Sequence, residues 1–415
     1  MWVVLGVPEL ETNTTVSPKV LDALAARALG VVAGLGGVAL IVISYQRQNG
    51  EKKRLFAERY ATAVAQLGDE SPAVRLGGVY SLASLADDAP DPGLRQTCVG
   101  VLCSYLRTPV PDSLPQGSSE EQQYDHHARV VEHASMREVR LAIVRTISQR
   151  LRTPSPWREC DFDFSRVVFE GEAGFESAVF NGRADFSGAV FEERVWFQEA
   201  IFSGGANFEK ARFSSDVEFG AVKFLWDAIF VDVEFGKRSG FRDATFGGFA
   251  EFSGVRFGAD VDFWGAKFAV GPGFSKSEFE GKARFCGVDF GGGMIFDRAI
   301  FVRNAVFRRS VAGGADFSEA IFGEESDFSD VRFLGMSFFE DVDFIGLSYF
   351  QDASFLGGAE FRSSHEFEVD GSVGGCPEGL YEASMSSSGM VSLPLKWLIS
   401  KSDNHRHSSR GDGVE

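Results

Sequence analysis

Phenylalanine recurs at alternating intervals of five and six residues from Phe164 to Phe361, with one interruption. The residues between the rings are mostly Asp, Glu, Ser, Gly, Lys and Arg. Two positions before most rings stands a small or β-branched residue, such as Ala184, Ala189, Val195, Ala200, Ala206, Ala211 and Val217. Side chains two apart in an extended segment point to the same face. The pattern therefore predicts short strands, each burying one ring and one small residue.

The long period does not fit a helix or a coiled coil, and a repeat this regular is typical of a solenoid. Two intervals make eleven residues, and two such pairs make a coil of 22 residues with four sides. Rings 22 residues apart should then stack in columns. One predicted column is Phe186, Phe208, Phe230, Phe252, Phe274 and Phe296, and its neighbour is Phe191, Phe213, Phe235, Phe257, Phe279 and Phe301. Nine coils at about 4.8 Å spacing would be roughly 45 Å long.

The alternative fold is a two-sheet β-sandwich, which expects alternating runs between distinct turn clusters and no single period. The interruption lies after Phe307, because the next ring, Phe317, follows ten residues later and Val311 or Ala312 stands near the expected slot. This segment is one residue short and predicts a local bulge or a tightened corner. Bulges sometimes mark function, whereas a tolerated deletion is the simpler interpretation.

The repeat resembles the pentapeptide-repeat family, whose units read Ala-Asp/Asn-Leu/Phe-x-x. Three segments match closely, namely Ala184–Gly188, Ala206–Lys210 and Ala315–Glu319. The resemblance covers residues 160–367 and implies a right-handed, four-sided β-helix with each Phe facing inward. The extra residue in every second unit departs from the family pattern and leaves the regularity of every second side open. The family has no shared catalytic residue to carry over.

The segment 28–45 carries no charge and is about as long as the hydrocarbon core of a bilayer. It follows an N-terminal segment, residues 1–27, and lies too far along the chain for a signal peptide. Arg47, Lys52, Lys53 and Arg54 come directly afterwards. The positive-inside bias then predicts a single-pass protein of the inner (cytoplasmic) membrane with most of the chain in the cytoplasm. A buried helix of a soluble domain is the alternative. Gly30 and Gly34 suggest a possible homodimer through this span.

Residues 46–107 predict a small helical, HEAT-like region. Its helices end near Gly68, begin at Pro72 and cover about Leu94–Leu106. The block between Ala63 and Ala86 resembles one found in membrane-anchored pentapeptide-repeat proteins. Arg75 inside it is either a partner contact or a paired structural arginine.

Residues 108–124 read as a linker. Residues 125–155 predict a helix, centred on Val130–Leu151, that caps the solenoid. Residues 368–415 read as a disordered tail apart from the apolar piece Val391–Ile399.

The formal net charge is −18, and the repeat holds about 35 acidic against about 20 basic residues. Such a surface would repel nucleic acid, which makes that partner an improbable one. The five cysteines, Cys98, Cys103, Cys160, Cys286 and Cys376, form no C-x-x-C pair. Neither a disulfide framework nor a zinc site is indicated, in keeping with a reducing compartment.

No catalytic, cofactor-binding or metal-binding residue is assigned, and no cofactor is expected. His126, His127 and His133 cluster, but a polar helix boundary explains them better than a metal site. The pairs Glu192-Glu193 and Glu324-Glu325 fall on outward positions, where a convex solenoid side offers no pocket for catalytic carboxylates. Gly291-Gly292-Gly293 lacks the context of a phosphate loop and predicts a tight corner.

Two functions remain. The first is a membrane-anchored, non-catalytic scaffold that presents a rigid acidic surface to an unknown protein partner. The second comes from the resemblance, because some pentapeptide-repeat proteins linked to fluoroquinolone resistance resemble DNA and bind gyrase. The anchor, the helical region and the interspersed basic residues favour the scaffold. An enzyme is the least favoured class.

Overall fold

The computed structural model describes residues 50–108, 120–362 and 391–392. The chain divides into two compact units, Met1–Arg59 and Tyr60–Glu415. In the first unit the described residues, 50–59, are helical, and Arg54 pairs with Glu51 at 3.1 Å.

The second unit starts with helices and continues as a solenoid. Its helices are α1 (residues 60–67), α2 (Pro72–Asp87), α3 (Pro92–Leu106) and α4 (Glu120–Arg152), followed by a 3-10 turn at Pro156–Glu159. A Cβ on Gly78 of α2 would lie 2.5 Å from the Leu67 backbone nitrogen, so the small residue lets α1 and α2 pack closely. Asp91 caps α3 by accepting from the Leu94 N–H at 3.0 Å.

The solenoid is built from very short parallel strands in four ladders, called A to D in the order the chain visits them. The strands of ladder A are Phe162–Asp163, Ala184–Asp185, Ala206–Asn207, Ala228–Ile229, Ala250–Glu251, Gly293–Ile295, Gly314–Asp316, Ser337–Glu340, Ala359–Arg362 and Val391–Ser392. The strands of ladder B are Val168–Phe169, Val190–Phe191, Arg212–Phe213, Glu234–Phe235, Arg256–Phe257, Glu278–Phe279, Ile300–Phe301, Ile321–Phe322 and Asp343–Phe344.

Ladders C and D complete each turn. The strands of ladder C are Ala173–Gly174, Val195–Trp196, Val217–Glu218, Ser239–Gly240, Val261–Asp262, Ala283–Arg284, Ala305–Val306, Ser326–Asp327 and Ser348–Tyr349. The strands of ladder D are Val179–Phe180, Ile201–Phe202, Lys223–Phe224, Thr245–Phe246, Lys267–Phe268, Val311–Ala312, Arg332–Phe333 and Ser354–Phe355. Single bridges at Gly273 and Asp289 carry ladders A and D across their gaps. The result is a mainly-β solenoid of about nine turns.

The 22-residue register is confirmed, since Phe191 pairs with Phe213 and Ala184 with Ala206. The predicted ring columns are confirmed as well. Phe186 and Phe208 stack with centroids 4.9 Å apart and an interplanar angle of 1°. Rings of ladders A and C meet edge to face, as Phe186 and Phe197 do at 5.6 Å. Offset stacks and edge-to-face contacts are the two favoured aromatic geometries, so the core is packed by ring on ring.

The corners explain the unequal intervals. In the five-residue steps, from A to B and from C to D, the second residue after the ring has a positive φ, such as 57° at Lys210 and 52° at Ala221. A β-turn hydrogen bond closes most of these steps, as when the Ala189 N–H donates to the Phe186 carbonyl at 3.0 Å. Six-residue steps, from B to C and from D to A, contain one more residue and turn without that closure. The extra residue therefore belongs to two specific corners.

The irregularity after Phe307 is a shortened D-to-A corner. Ala312 occupies the ring position of ladder D, where it is buried and pairs with Phe333. Two residues, Gly313 and Gly314, then separate it from the inward-facing Ala315 instead of three. The turn is 21 residues long, and Phe296 still stacks on Phe317 at 5.3 Å. The tightened corner predicted from the sequence is confirmed.

Several sequence predictions concern residues outside the described ranges. The predicted span 28–45, most of the 108–124 linker and nearly all of the tail lie there. Among the described residues, no helix has the length and hydropathy that a membrane crossing requires. Helix α4 begins at Glu120, inside the stretch predicted as a linker. The tail contributes one described strand, Val391–Ser392, which pairs with Ala359 and Glu360 at the end of ladder A.

Candidate interaction surfaces of the solenoid

The outward Asp or Asn of the repeat has a structural task. The Ser187 N–H donates to Asp185 Oδ1 at 3.0 Å, and the Glu209 N–H donates to Asn207 Oδ1 at 3.0 Å. The same side-chain-to-backbone contact is made by Asp163, Asp262, Asp289, Asp316 and Asp327. Because Asn serves as well as Asp, the requirement is an acceptor that stabilises the turn and not a negative charge.

Many carboxylates are also paired with arginines one turn away. Cross-turn pairs include Arg212–Glu234 at 2.7 Å, Arg284–Asp262 at 2.8 Å and Arg298–Glu319 at 2.9 Å. The adjacent arginine lowers the pKa of Glu319, and this carboxylate raises the pKa of Arg298. The acidic surface is therefore interrupted by local neutralisation, unlike a duplex with its uniform line of phosphates.

The first turn is closed by arginines of α4. Arg137 donates to the Glu170 carbonyl at 3.0 Å, Arg140 to that of Val168 at 2.8 Å and Arg152 to that of Gly174 at 2.9 Å. One turn later, the carbonyl equivalent to that of Gly174 belongs to Trp196 and accepts from the Phe175 N–H at 2.7 Å. The arginines thus replace the ladder bonds that a preceding turn would supply.

Arg140 is the most buried of these arginines, with 4 % of its side chain exposed. Its Nε lies 2.9 Å from Glu170 Oε2. Burial lowers the pKa of Arg140, and the neighbouring Glu170 opposes that shift. A small cavity beside this pair is lined by Leu106, Leu141, Val144 and Phe169, among others. This junction fixes the helices on the solenoid and offers no room for a substrate.

The two six-residue corners differ in charge over most of the solenoid, although the last B-to-C corner, residues 345–347, is also uncharged. The B-to-C corner carries at least one charged side chain in each turn from 170–172 to 323–325. The D-to-A corner carries none in six successive turns. We call the latter set the apolar corner, and it comprises residues 247–249, 269–271, 291–293, 313–314, 334–336 and 356–358. Since the same step accepts charges at one corner, the absence of charge at the other is not a demand of the fold.

Side chains singled out from the sequence lie apart from one another. Glu192, Glu193, Glu324 and Glu325 are exposed on the B-to-C corner, as predicted. Arg75 donates to the Asp69 carbonyl, which supports its interpretation as a paired structural residue.

The predicted tight corner at Gly291–Gly293 is confirmed, because a Cβ on Gly291 would lie 2.1 Å from the Phe268 carbonyl oxygen. His126 lies in α4, and the side chains of His127 and His133 lie outside the description. No cluster of metal-binding type is found in the described ranges.

The described thiols are free, and burial raises the pKa of Cys98 and of Cys160 to about 11 and that of Cys103 to about 12. Such thiols are poor nucleophiles at neutral pH. Cys376 lies outside the described residues.

A family model described as "Pentapeptide repeats (9 copies)" matches residues 164–212, 175–223 and 317–365. The chain is a pentapeptide-repeat protein. In this pentapeptide-repeat protein, each matched unit consists of one short strand and the corner that follows it. The strand carries a small residue two positions before an inward Phe. No curated protein and no solved structure matches the chain.

Proposed function

We propose that this pentapeptide-repeat protein is a non-catalytic interaction scaffold anchored in the inner membrane through residues 28–45. Its solenoid would be the right-handed, four-sided coil expected from the resemblance, with most of the chain in the cytoplasm and an unknown protein as partner. The observation that carries the proposal is the closed core. The described inward positions are filled by rings and small residues, apart from larger side chains such as Met294, and chemistry is left to outward side chains on a rigid ladder.

The DNA-mimic alternative requires a continuous anionic surface. The turn-stabilising role of Asp185 and the cross-turn pair of Arg212 with Glu234 weigh against it. A gyrase supercoiling assay with the purified full chain separates the two functions. Dose-dependent inhibition at modest salt would favour the mimic, and unchanged supercoiling favours the scaffold.

The anchor and the partner are tested together in cells. We expect the full chain to sediment with membranes and a chain lacking residues 1–49 to be released. A photo-crosslinking amino acid at Glu192 or Glu325, both outward and exposed, should give discrete products from one face of the solenoid. Membrane association of the chain without residues 1–49 would contradict the anchor. The absence of crosslinked products at all of the outward positions tested would contradict the scaffold.

A further inference from the structure

The apolar corner runs along six successive turns of the described solenoid without a charged side chain. In its six turns the positions that carry side chains are Phe249, Ala269, Val270, Leu334, Met336 and Leu356, and all others are Gly. Leu225 and the 66 %-exposed Trp226 continue the apolar side chains into the preceding turn, where the exposed Asp227 ends the uncharged run. On a chain with a net charge of −18, a run of exposed apolar side chains indicates a contact surface.

The glycines of this corner are explained by the fold and do not themselves indicate a partner. A Cβ on Gly248 would lie 2.5 Å from the Trp226 carbonyl carbon, and one on Gly335 would lie 2.0 Å from the Gly313 carbonyl oxygen. Gly248 and Gly335 must therefore remain small, because successive turns stack closely at these positions. The side-chain-bearing positions are free of that constraint, and they are the ones that are uniformly apolar.

We propose that the apolar corner binds the same corner of a second copy of this chain, in antiparallel orientation. The first reason is charge. Two copies meeting through the B-to-C corner would bury charged side chains of both signs, such as Glu192 and Arg238, and the desolvation of such charges opposes the contact. Along the apolar corner two acidic solenoids can approach without burying any charged side chain.

The second reason is symmetry, because a two-fold contact needs a surface that complements itself. The midpoint of the six turns falls between Gly291–Gly293 and Gly313–Gly314, which bear no side chain. The bulkier positions lie on either side, at 247–271 and 334–358. Rotation about an axis through the midpoint places Val270 of one copy opposite Leu334 of the other.

The third reason is area. Six turns at about 4.8 Å make a strip roughly 30 Å long. At two to three side chains wide, each copy would bury on the order of 500 Å², which gives a total near the lower bound of about 1,000 Å² for a specific interface. The contact should therefore be a reversible dimer of micromolar strength. A lipid surface fits less well, because interfacial binding normally adds basic side chains that this corner lacks.

Matched single substitutions test the proposal. Val270 lies on the apolar corner and is 49 % exposed, while Val302 lies on the B-to-C corner and is 45 % exposed. Sedimentation velocity of the full chain in nonionic detergent should show a monomer–dimer equilibrium that tightens as salt screens the acidic repulsion. V270E should raise the dimer Kd at least tenfold, and V302E should change it less than twofold. A monomer throughout the micromolar range, or equal effects of the two variants, would overturn the proposal.

Cysteine crosslinking tests the orientation independently of the membrane span. In a background with Cys286→Ser and Cys376→Ser, the double variant V270C/L334C should form disulfide-linked dimers on mild oxidation. Each single variant should form few, because residue 270 faces 334 and not 270. Efficient linking by V270C alone would mean a parallel pair and would refute the antiparallel arrangement. Saturable binding of monomers to neutral phosphatidylcholine vesicles that V270E abolishes would replace the second copy by a lipid surface.

Discussion

At the scale of the residue, the repeat assigns each position one physical task. The ring fills the core, the small residue two before it leaves space, and the residue between them stabilises the turn. Ala184, Asp185 and Phe186 illustrate all three, since the first and third are buried and the second accepts a backbone hydrogen bond. These tasks follow from alternation along an extended segment, so they were predictable from the sequence.

Replacing an inward phenylalanine by a charged residue should destabilise the protein much more than the same replacement of an outward phenylalanine. Phe230 is fully buried between Phe208 and Phe252, with ring centroids at 4.9 and 4.7 Å. F230D removes a packed ring and buries a carboxylate, so it should cost at least about 5 kcal/mol. Urea unfolding measures the loss, and F338D is the control because Phe338 is 40 % exposed. Equal midpoints for both variants would refute the inward assignment.

Two serines, Ser239 and Ser277, occupy the inward position two residues before a ring, but only one of their hydroxyl groups has a hydrogen-bond partner in the described part of the chain. Ser277 Oγ donates to the Phe252 carbonyl at 2.6 Å, whereas Ser239 Oγ is buried and finds no partner among the described residues. S239A should therefore stabilise the protein by about 1 kcal/mol, and S277A should destabilise it by about 1 kcal/mol. Thermal and urea unfolding of both variants check the signs. A loss of stability in S239A would mean that the hydroxyl has an acceptor.

At the scale of the element, the strands were predictable and the helix boundaries less so. The period of the rings determines register, because a slip of one residue would expose every ring. Helix α4 begins at Glu120, within a Gln- and Glu-rich stretch that lacks an apolar period, so its first turns left no signal. The arginines that close the first turn were also missed, since Arg140 gains its role only from the backbone it meets.

Removing only one charge of the Arg140–Glu170 pair should lower the stability of the protein strongly. R140M removes the guanidinium that lies 2.9 Å from the mostly buried Glu170 carboxylate and should cost about 3–5 kcal/mol. The double variant R140M/E170M removes both charges and should recover a large part of that loss. Urea unfolding of the two variants provides the measurement. If the double variant were no more stable than R140M, the carbonyl contacts of Arg140 would dominate over the ion pair.

At the scale of the whole molecule, apolar and charged side chains form continuous surfaces between successive turns. Residues of one surface are far apart in the sequence. The apolar corner is scattered over six separate segments, each of two or three residues, between Gly247 and Gly358. It becomes a continuous surface only when segments 21 or 22 residues apart are aligned by the ladders. The sequence contained this information, but the corner could be recognised only once the six-residue steps were assigned to particular ladders.

Exposed charges should matter little for stability. Glu192 is exposed on the B-to-C corner, and E192K should change the free energy of unfolding by less than about 0.5 kcal/mol. E234K also breaks the cross-turn contact with Arg212, so it should cost somewhat more, about 0.5–1 kcal/mol. Urea unfolding at low and high salt distinguishes the two, because salt should reduce only the second effect. A loss of several kcal/mol in E192K would mean that its corner is covered.

The buried Ala312 bears on how the solenoid folds. In a repeat protein, cooperativity depends on coupling between neighbouring units. Ring-to-ring contact continues from Phe268 to Phe290 in ladder D, and Ala312 then removes one member before Phe333. The column of stacked rings in ladder D is interrupted there, so the turns before and after this position should behave as two cooperative blocks. Native-state hydrogen exchange would then show two protection levels that meet near residue 312, and A312F would merge them.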